Sequence, residues 1–153
     1  MDKRKENFKL GRFHGKKEAT KNKSEAAIQR AVYSRQIINI VRSRRDNKNT
    51  AVRLIGYEVP LERYRGECID LLGYDCEMNL WIIELKHGKS EENLEEIRDQ
   101  VNRYTDHIKE SQLLLEKDFK KVFYIPTKFR KVRRLILAPA EFYIEKSRSD
   151  FKD

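Results

Sequence analysis

Apolar residues recur at two different spacings along this chain, and the spacing separates predicted helices from predicted strands. Two segments follow the period of an amphipathic α-helix. The first begins at Glu25, behind a cap at Ser24, and runs to about Arg45. The second begins after a cap at Ser90, carries acidic residues in its first turn, and runs to about Lys117. We therefore expect two long helices, each with one apolar face.

Four shorter runs, rich in β-branched and aromatic residues, predict strands. They cover residues 51–59, 66–75, 79–87 and 132–140. A tight turn joins the second run to the third, which predicts an antiparallel hairpin. The second long helix then crosses to the fourth run, and a short helix is expected to close the chain. This order predicts an α/β fold in which helices flank a central mixed β-sheet of about four strands.

Charged side chains converge at the end of the predicted hairpin. Because strand side chains alternate, Glu84 and Lys86 share one face while Leu85 takes the other. The partner strand brings Asp70 close to them. Two carboxylates in an apolar setting repel each other unless a cation lies between them, and oxygen ligands suit Mg²⁺ or Mn²⁺. The pattern therefore favours a metal site formed by Asp70, Glu84 and the backbone carbonyl of Leu85.

Such a site suits phosphodiester hydrolysis, which needs an activated water and relief of negative charge on the phosphate. The ammonium of Lys86 would orient the water or stabilise the developing charge. The string [D/E]xK occurs four times in the chain, and only the copy at 84–86 ends an apolar strand, follows an Asp-bearing strand and precedes a helix. The alternative interpretation is an ion pair at the end of a strand.

Composition points to an anionic partner. The chain has 153 residues, a formal net charge of +9 and 39% charged residues. A small basic domain of this kind favours nucleic acid as the partner. Residues 1–23 hold nine Lys or Arg against three acidic residues, which predicts a mobile basic arm before a single domain at 24–153.

A second basic region, residues 117–134, mixes aromatic side chains with Lys and Arg. Lys and Arg neutralise phosphates, and aromatic rings can stack on unpaired bases, although these rings could equally belong to the core. The residues expected to bind nucleic acid are Arg30, Lys120, Lys121, Lys128, Arg130 and Lys131.

The remaining composition favours a cytoplasmic protein without a membrane partner. Cys68 and Cys76, the two cysteines, have neither a zinc-site spacing nor a disulfide framework, which fits a reducing compartment. No apolar stretch approaches the length of a membrane span, and the basic N-terminus has no apolar run typical of a secretory signal.

Three stretches, taken in order and spacing, resemble the PD-(D/E)xK nuclease superfamily, in its branch of RecB-like and NucS-like nuclease domains. They are GECIDLLG at 66–73, IIELK at 82–86 and QVNRY at 100–104. Glu25 is similar to a Glu on the first core helix of that family, and RRLILAP to its later strand. The resemblance covers about residues 24–140. It departs from the family where Ile69 replaces the Pro before the first Asp.

The resemblance implies a restriction-endonuclease-like core and a role for each matching residue. Asp70 and Glu84 would be metal ligands and Lys86 the catalytic lysine. Gln100 would support the site from the helix, and Glu25 would reach the metal through water. The supporting residue from the same helix would be Tyr104. Gln100 and Tyr104 stand at i and i+4 and could simply pair, while Glu25 could serve only the helix dipole.

The sequence as a whole predicts a Mg²⁺- or Mn²⁺-dependent nuclease of phage or prokaryotic type, an endonuclease or nickase with DNA favoured over RNA. A monomer with one site would nick one strand, whereas double-strand cleavage would indicate a homodimer. Two other functions stay open. One is a catalytically silent nucleic-acid-binding module, and the other is a docking subunit of a phage or host-defence complex.

Overall fold

A computed structural model describes the backbone of residues 23–43, 48–61, 67–88 and 91–143 and, within these, all side chains except those of 23–26, 41–43 and 48. Residues 1–22 of the predicted basic arm, the predicted cap at Ser90 and the side chain of Glu25 lie outside this description. The long helices of the described part are α1 Lys23–Ser34, α2 Leu94–Glu110 and α3 Gln112–Phe123, and residues 140–143, where a short closing helix was expected, are also helical. The strands are β1 Ile37–Ser43, β2 Lys48–Pro60, β3 Cys68–Tyr74, β4 Leu80–Leu85 and β5 Val132–Leu137.

The strands form one curled, mixed sheet in the order β1-β2-β3-β4-β5. Strands β1, β2, β3 and β4 pair antiparallel in that order, and β5 runs parallel to β4 after the crossover through α2 and α3. The predicted α/β class, the mixed sheet and the hairpin of β3 and β4 are confirmed. The sheet has five strands where about four were expected.

The additional strand, β1, lies where the sequence predicted a helix continuing to Arg45, and that prediction is wrong. Helix α1 ends at Ser34, and Gln36 follows with a φ of 63°, a left-handed conformation that turns the chain. The next residues, Ile37-Ile38-Asn39-Ile40-Val41, are rich in β-branched side chains, which favour strands and lose rotamer freedom in helices. The spacing of the apolar positions alone could not distinguish a continued helix from a strand here.

The second long helix also differs from its prediction. It begins at Leu94, with Asn93 as its cap and Glu96 completing a capping box, rather than after Ser90. It ends at Glu110 instead of about Lys117. Ser111 interrupts the helix, and α3 starts immediately behind it.

Helices cover both faces of the sheet. One face packs on α2 and α3, and the other packs on α1. The buried residues on the first face include Ile55, Ile69, Leu72, Leu80, Ile82, Ile97, Val101, Tyr104, Leu115 and Phe119. Those on the second include Tyr33, Val52, Leu54, Tyr57, Leu71, Trp81, Ile83 and Leu85. Within the described ranges, none of the helices has the length and apolar character needed to cross a membrane.

Candidate functional site

Glu84 lies near the end of β4 and is almost completely buried, with 3% of its surface exposed. Side chains along β4 alternate as predicted, since Leu85 packs on the α1 face and Ile82 on the α2 face. The last pair in the register of β3 and β4 is Leu71 with Ile83. Asp70 and Glu84 are the next residues of the two strands, so the hairpin brings the two predicted metal ligands together.

Asp70 holds the end of β4 through its side chain. Its Oδ2 accepts a hydrogen bond from the backbone N–H of Leu85 at 2.8 Å. Its backbone carbonyl accepts from Nε2 of Gln29 on α1, also at 2.8 Å. Asp70 therefore connects both strands of the hairpin to α1, and its carboxylate is fixed beside the end of β4.

Lys86 pairs with two acidic residues. Its Nζ lies 3.1 Å from Oε1 of Glu84 and 2.7 Å from Oε2 of Glu92, and only 6% of the lysine side chain is exposed. Although burial lowers the pKa of Lys86, the hydrogen bond to Glu92 and the charge of Glu84 raise it above its ordinary value. The ammonium consequently stays charged at neutral pH.

Glu84 has too few hydrogen-bond donors and positive neighbours to stabilise its ionised form fully. Burial and the nearby charge of Asp70 raise the pKa of Glu84 to about 8, although Lys86 opposes them. Its Oε1 pairs with Lys86, while its buried Oε2 has no hydrogen-bond partner. A buried carboxylate oxygen left unpaired is costly, so a further positive group at this position would stabilise the protein.

The residues present fit a small divalent cation. Asp70 and Glu84 offer carboxylates, and the unpartnered oxygen of Glu84 supplies an available ligand atom. The N–H of Leu85 points toward Asp70, and in an extended strand the carbonyl of the same residue points to the same side. The two carboxylates lie close together, and a contribution of the Leu85 carbonyl stays a prediction. Within the described ranges, no three His, Cys, Asp or Glu side chains group together as a metal site.

Gln100 and Tyr104 on α2 approach the same end of the sheet. Nε2 of Gln100 donates to the hydroxyl oxygen of Tyr104, as their spacing allows. Burial, and then the charge of Glu84, raises the pKa of the Tyr104 hydroxyl well above its ordinary value. Tyr104 is therefore neutral and close to Glu84. This hydrogen bond is compatible with support of the site by Gln100 and Tyr104 and also with a simple pair on the helix. A role for Gln100 in the site stays a prediction.

Sequence reasoning missed two pairs of residues near the site. Gln29 is 7% exposed and holds Asp70 from α1, 41 positions earlier in the sequence. Arg103 on α2 pairs with Oε1 of Glu67 at 3.0 Å, and the other carboxylate oxygen of Glu67 is buried without a hydrogen-bond partner. Glu67 is close enough for its charge to affect Tyr104. Arg103 and Glu67 both fall within the family-like stretches, but nothing local indicated that they meet.

Most residues expected to bind nucleic acid lie at the opposite end of β4. Leu80 pairs with Val132, and the backbone N–H of Leu80 donates to the carbonyl of Lys131 at 2.8 Å. The segment before β5 therefore adjoins the start of β4, whereas Glu84 lies near its end. Leu80 and Glu84 are four residues apart, and at about 3.3 Å per residue these two positions of β4 are separated by roughly 13 Å. The exposed residues in this distant group are Lys120, Lys121, Lys128, Arg130 and Lys131.

Arg30 differs from that group because it follows Gln29 on α1, near Asp70, where it is half-buried. Nucleic-acid binding by all six residues stays a prediction. The backbone of Glu25 belongs to α1, but its side chain is outside the described residues, so its predicted contact through water also stays a prediction.

Comparison of this chain with protein-family models, with curated proteins and with solved structures gave no match. The resemblance to PD-(D/E)xK nucleases therefore depends on the residues of the chain itself.

Proposed function

We propose that this protein is a nuclease of the PD-(D/E)xK type that hydrolyses phosphodiester bonds with Mg²⁺ or Mn²⁺, in DNA more than in RNA. The observation that carries the proposal is Glu84, a buried carboxylate with one unpartnered oxygen, placed beside Asp70 and paired with a buried lysine. Burial of this much charge at a strand end is costly for a purely structural contact and is typical of a functional site.

The proposed roles follow from the contacts. Asp70, Glu84 and the carbonyl of Leu85 would hold the cation, which when bound supplies charge relief at the phosphate and an activated water. Lys86 stays charged next to Glu84, and in the proposed reaction it would orient the attacking water or stabilise charge on the phosphate. Tyr104 stays protonated, so with Gln100 it can donate a hydrogen bond at this end of the sheet.

The proposed setting is the cytoplasm, because Cys68 and Cys76 are both exposed and have neither a zinc-site spacing nor a disulfide framework, as expected of a reducing compartment. DNA is the proposed partner, and the assembly is proposed to be a monomer if the product is a nick and a homodimer if both strands are cut.

A nucleic-acid-binding module without turnover is the second candidate. It is favoured by the two ion pairs of Lys86, since Glu84 and Glu92 satisfy this lysine without any further ligand. In that case the buried charges would have a structural role, which is to hold the end of β4 against the segment before α2.

One assay separates the two functions. The parent protein is incubated with supercoiled plasmid and with single-stranded circular DNA, in Mg²⁺, in Mn²⁺ and in EDTA. The proposed function requires cleavage with either metal, none in EDTA, and none from Glu84→Gln. Asp106→Asn, an exposed acid on α2, is the matched control and should cleave like the parent. Binding without cleavage under every metal condition would favour the module.

A further inference from the structure

A groove with an apolar floor and a basic rim lies beside α3, at the end of the sheet away from Glu84. One wall is a single face of α3, formed by Leu113, Lys117 and Lys120 at helical spacing. The other wall is the following segment, with Pro126 and Lys128. Leu113 is 78% exposed, which is unusual for a large apolar side chain on a helix that also contributes to the core.

Tyr124 lies in the sequence between Lys120 and Pro126, which both line the groove, and it adopts a backbone conformation that favours Gly or Asn. It is the C-cap of α3, with a φ of 59°, and its backbone N–H donates to the carbonyl of Lys120 at 2.8 Å. Gly or Asn usually occupies a left-handed cap, because a larger side chain is strained there. The ring is nevertheless 88% exposed and contributes little to the core. Backbone conformations of this kind cluster at functional sites, so the exposed ring is a candidate for binding.

The other aromatic residues of the segment have structural roles. Phe119 and Phe129 are buried and pack edge-to-face on each other, and Phe123 packs against Phe119. The sequence left open whether these rings belong to the core, and the structure separates them. Tyr124 is the ring of this group that projects into solvent.

The charge around the groove complements a polyanion. Lys117, Lys120 and Lys128 line it and are exposed. The acid in its lining, Glu116, directs Oε1 to the backbone N–H of Phe129 at 2.9 Å and to the side-chain amide of Gln112 at 3.0 Å. That carboxylate oxygen therefore serves the junction between α3 and the following segment, and the lysines dominate the rim.

We infer that this groove binds an unpaired stretch of a nucleic-acid strand, with one base stacked on Tyr124 and phosphates on the three lysines. An exposed ring, an apolar floor and a lysine rim are the features with which proteins hold single strands, whereas duplex DNA hides its base faces. The inference rests on the proposed function for one point, namely that the bound strand is also the substrate. The substrate class is then a nucleic acid with a single-stranded region.

The distance between groove and site sets a length requirement. The start and end of β4 are roughly 13 Å apart, which corresponds to about four nucleotides at the 3.4 Å spacing of one strand in a duplex. A strand that is bound in the groove and reaches Glu84 has to cover about the length of β4, so we expect several nucleotides between the stacked base and the scissile phosphate. Cleavage should become efficient only when the single-stranded region exceeds this length.

Fluorescence anisotropy in EDTA tests the groove without requiring cleavage. The probes are labelled (dT)15 and a 15-base-pair duplex. Tyr124→Asn removes the ring but suits the left-handed cap, and it should weaken (dT)15 binding by about 5- to 100-fold, the range for loss of one stacked base. Duplex binding should change less than about twofold, and Tyr124→Phe should behave like the parent.

The lysines are tested by salt dependence. The triple variant Lys117→Gln, Lys120→Gln, Lys128→Gln should lower the log–log salt slope for (dT)15 by about 2, at roughly 0.7 per phosphate contact. Lys109→Gln, an exposed lysine on α2, is the matched control and should leave the slope unchanged.

Two results would overturn the inference. One is unchanged (dT)15 affinity in both Tyr124→Asn and the triple variant. The other is a triple variant that loses binding of poly-L-glutamate but keeps (dT)15, which would assign the groove to an acidic polypeptide. Because these measurements are made in EDTA, absence of cleavage in the plasmid assay would remove the proposed nuclease while leaving the groove result intact.

Discussion

Asp75 and Glu84 are buried to the same extent, each 3% exposed, at opposite ends of the hairpin formed by β3 and β4. Asp75 accepts four hydrogen bonds, from the backbone N–H groups of Glu77 and Asn79, the side-chain amide of Asn79 and the indole of Trp81, at 2.9 to 3.0 Å. Although burial raises the pKa of Asp75, these bonds lower it below its ordinary value. Asp75 is thus a fully satisfied ion that closes the turn.

The carboxylate of Glu84 has fewer partners than that of Asp75, and its pKa is shifted in the opposite direction. It keeps one ion pair and one oxygen without a partner, and its pKa is raised to about 8. Burial alone therefore does not distinguish a structural carboxylate from a candidate functional one. The number of hydrogen-bond donors around each carboxylate does: Asp75 is a structural carboxylate, and Glu84 is the candidate functional one.

The largest expected effect is on cleavage at the Glu84 end. Asp70→Asn and Glu84→Gln should each lower the rate of plasmid cleavage by at least about a thousandfold, since each would remove a proposed metal ligand worth several kcal/mol in the transition state. Both variants should fold, and Glu84→Gln should gain a few degrees in Tm because the repulsion with Asp70 is relieved. The checks are single-turnover cleavage and thermal unfolding in EDTA. Full activity in Asp70→Asn would exclude the assigned site.

Substitution of Lys86, which pairs with Glu84 and Glu92, should separate an effect on catalysis from an effect on DNA binding. Lys86→Ala should lower the cleavage rate by orders of magnitude with little loss of DNA affinity, because interactions made only in the transition state appear in the rate. Lys86→Arg should also fail, since a planar guanidinium does not replace a compact ammonium in a tight site. Parallel rate and affinity measurements check this. If both variants lost affinity in proportion to rate, Lys86 would instead be a phosphate-binding residue.

At the other end of the hairpin, the expected loss is in stability. Asp75→Ala leaves the indole N–H of Trp81 and the amide of Asn79 without their acceptor, and it should lower the free energy of unfolding by about 3 kcal/mol. Cleavage per folded molecule should be unchanged. Urea unfolding measures the loss, and active-site titration below the transition measures the activity. A loss of activity without a loss of stability would reverse the roles of the two carboxylates.

The pH dependence of stability gives a further test of the comparison between Glu84 and Asp75. The pKa of Glu84 is raised in the folded protein, so the folded state holds an extra proton between the ordinary value near 4.5 and about 8. Its stabilising contribution is present below 4.5 and is lost as the pH rises through 8, with a slope of at most about 1.4 kcal/mol per pH unit. Glu84→Gln should flatten the fall in Tm between pH 5.5 and 8.5 in EDTA.

Asp75 predicts the opposite trend, because its pKa is lowered. Its contribution is present above the ordinary value near 3.8 and is lost as the pH falls below it, so Asp75→Ala should remove part of the acid limb of the stability profile. An identical pH profile in the two variants would contradict the comparison.

Local patterns were sufficient to predict the hairpin and the face shared by Glu84 and Lys86. Strand alternation and a tight turn determine both, and the ion pair at 3.1 Å agrees with them. The predicted ligand set of Asp70 and Glu84 is brought together by the same local register, since the two residues follow the pair of Leu71 and Ile83.

What the sequence missed depends on distant contacts or on competing local preferences. The sequence did not predict strand β1, because its apolar positions also fit a helical period. Only the β-branched run after Gln36 favours a strand. The pairing of Gln29 with Asp70, and of Arg103 with Glu67, joins segments far apart in the chain. The distance of Lys128 from Glu84 follows from the parallel register of β5 on β4, which the sequence did not specify.

That parallel register also has a consequence for the order of folding. Strands β1 to β4 are joined in sequence, and Asp70 meets Leu85 only 15 residues away. By contrast, Leu80 pairs with Val132 roughly 50 residues later, after a loop closure that costs more chain entropy. The carboxylate pair therefore belongs to the low-contact-order part of the fold and is expected to form early. The lysine-rich groove acquires its place beside the sheet only when β5 docks.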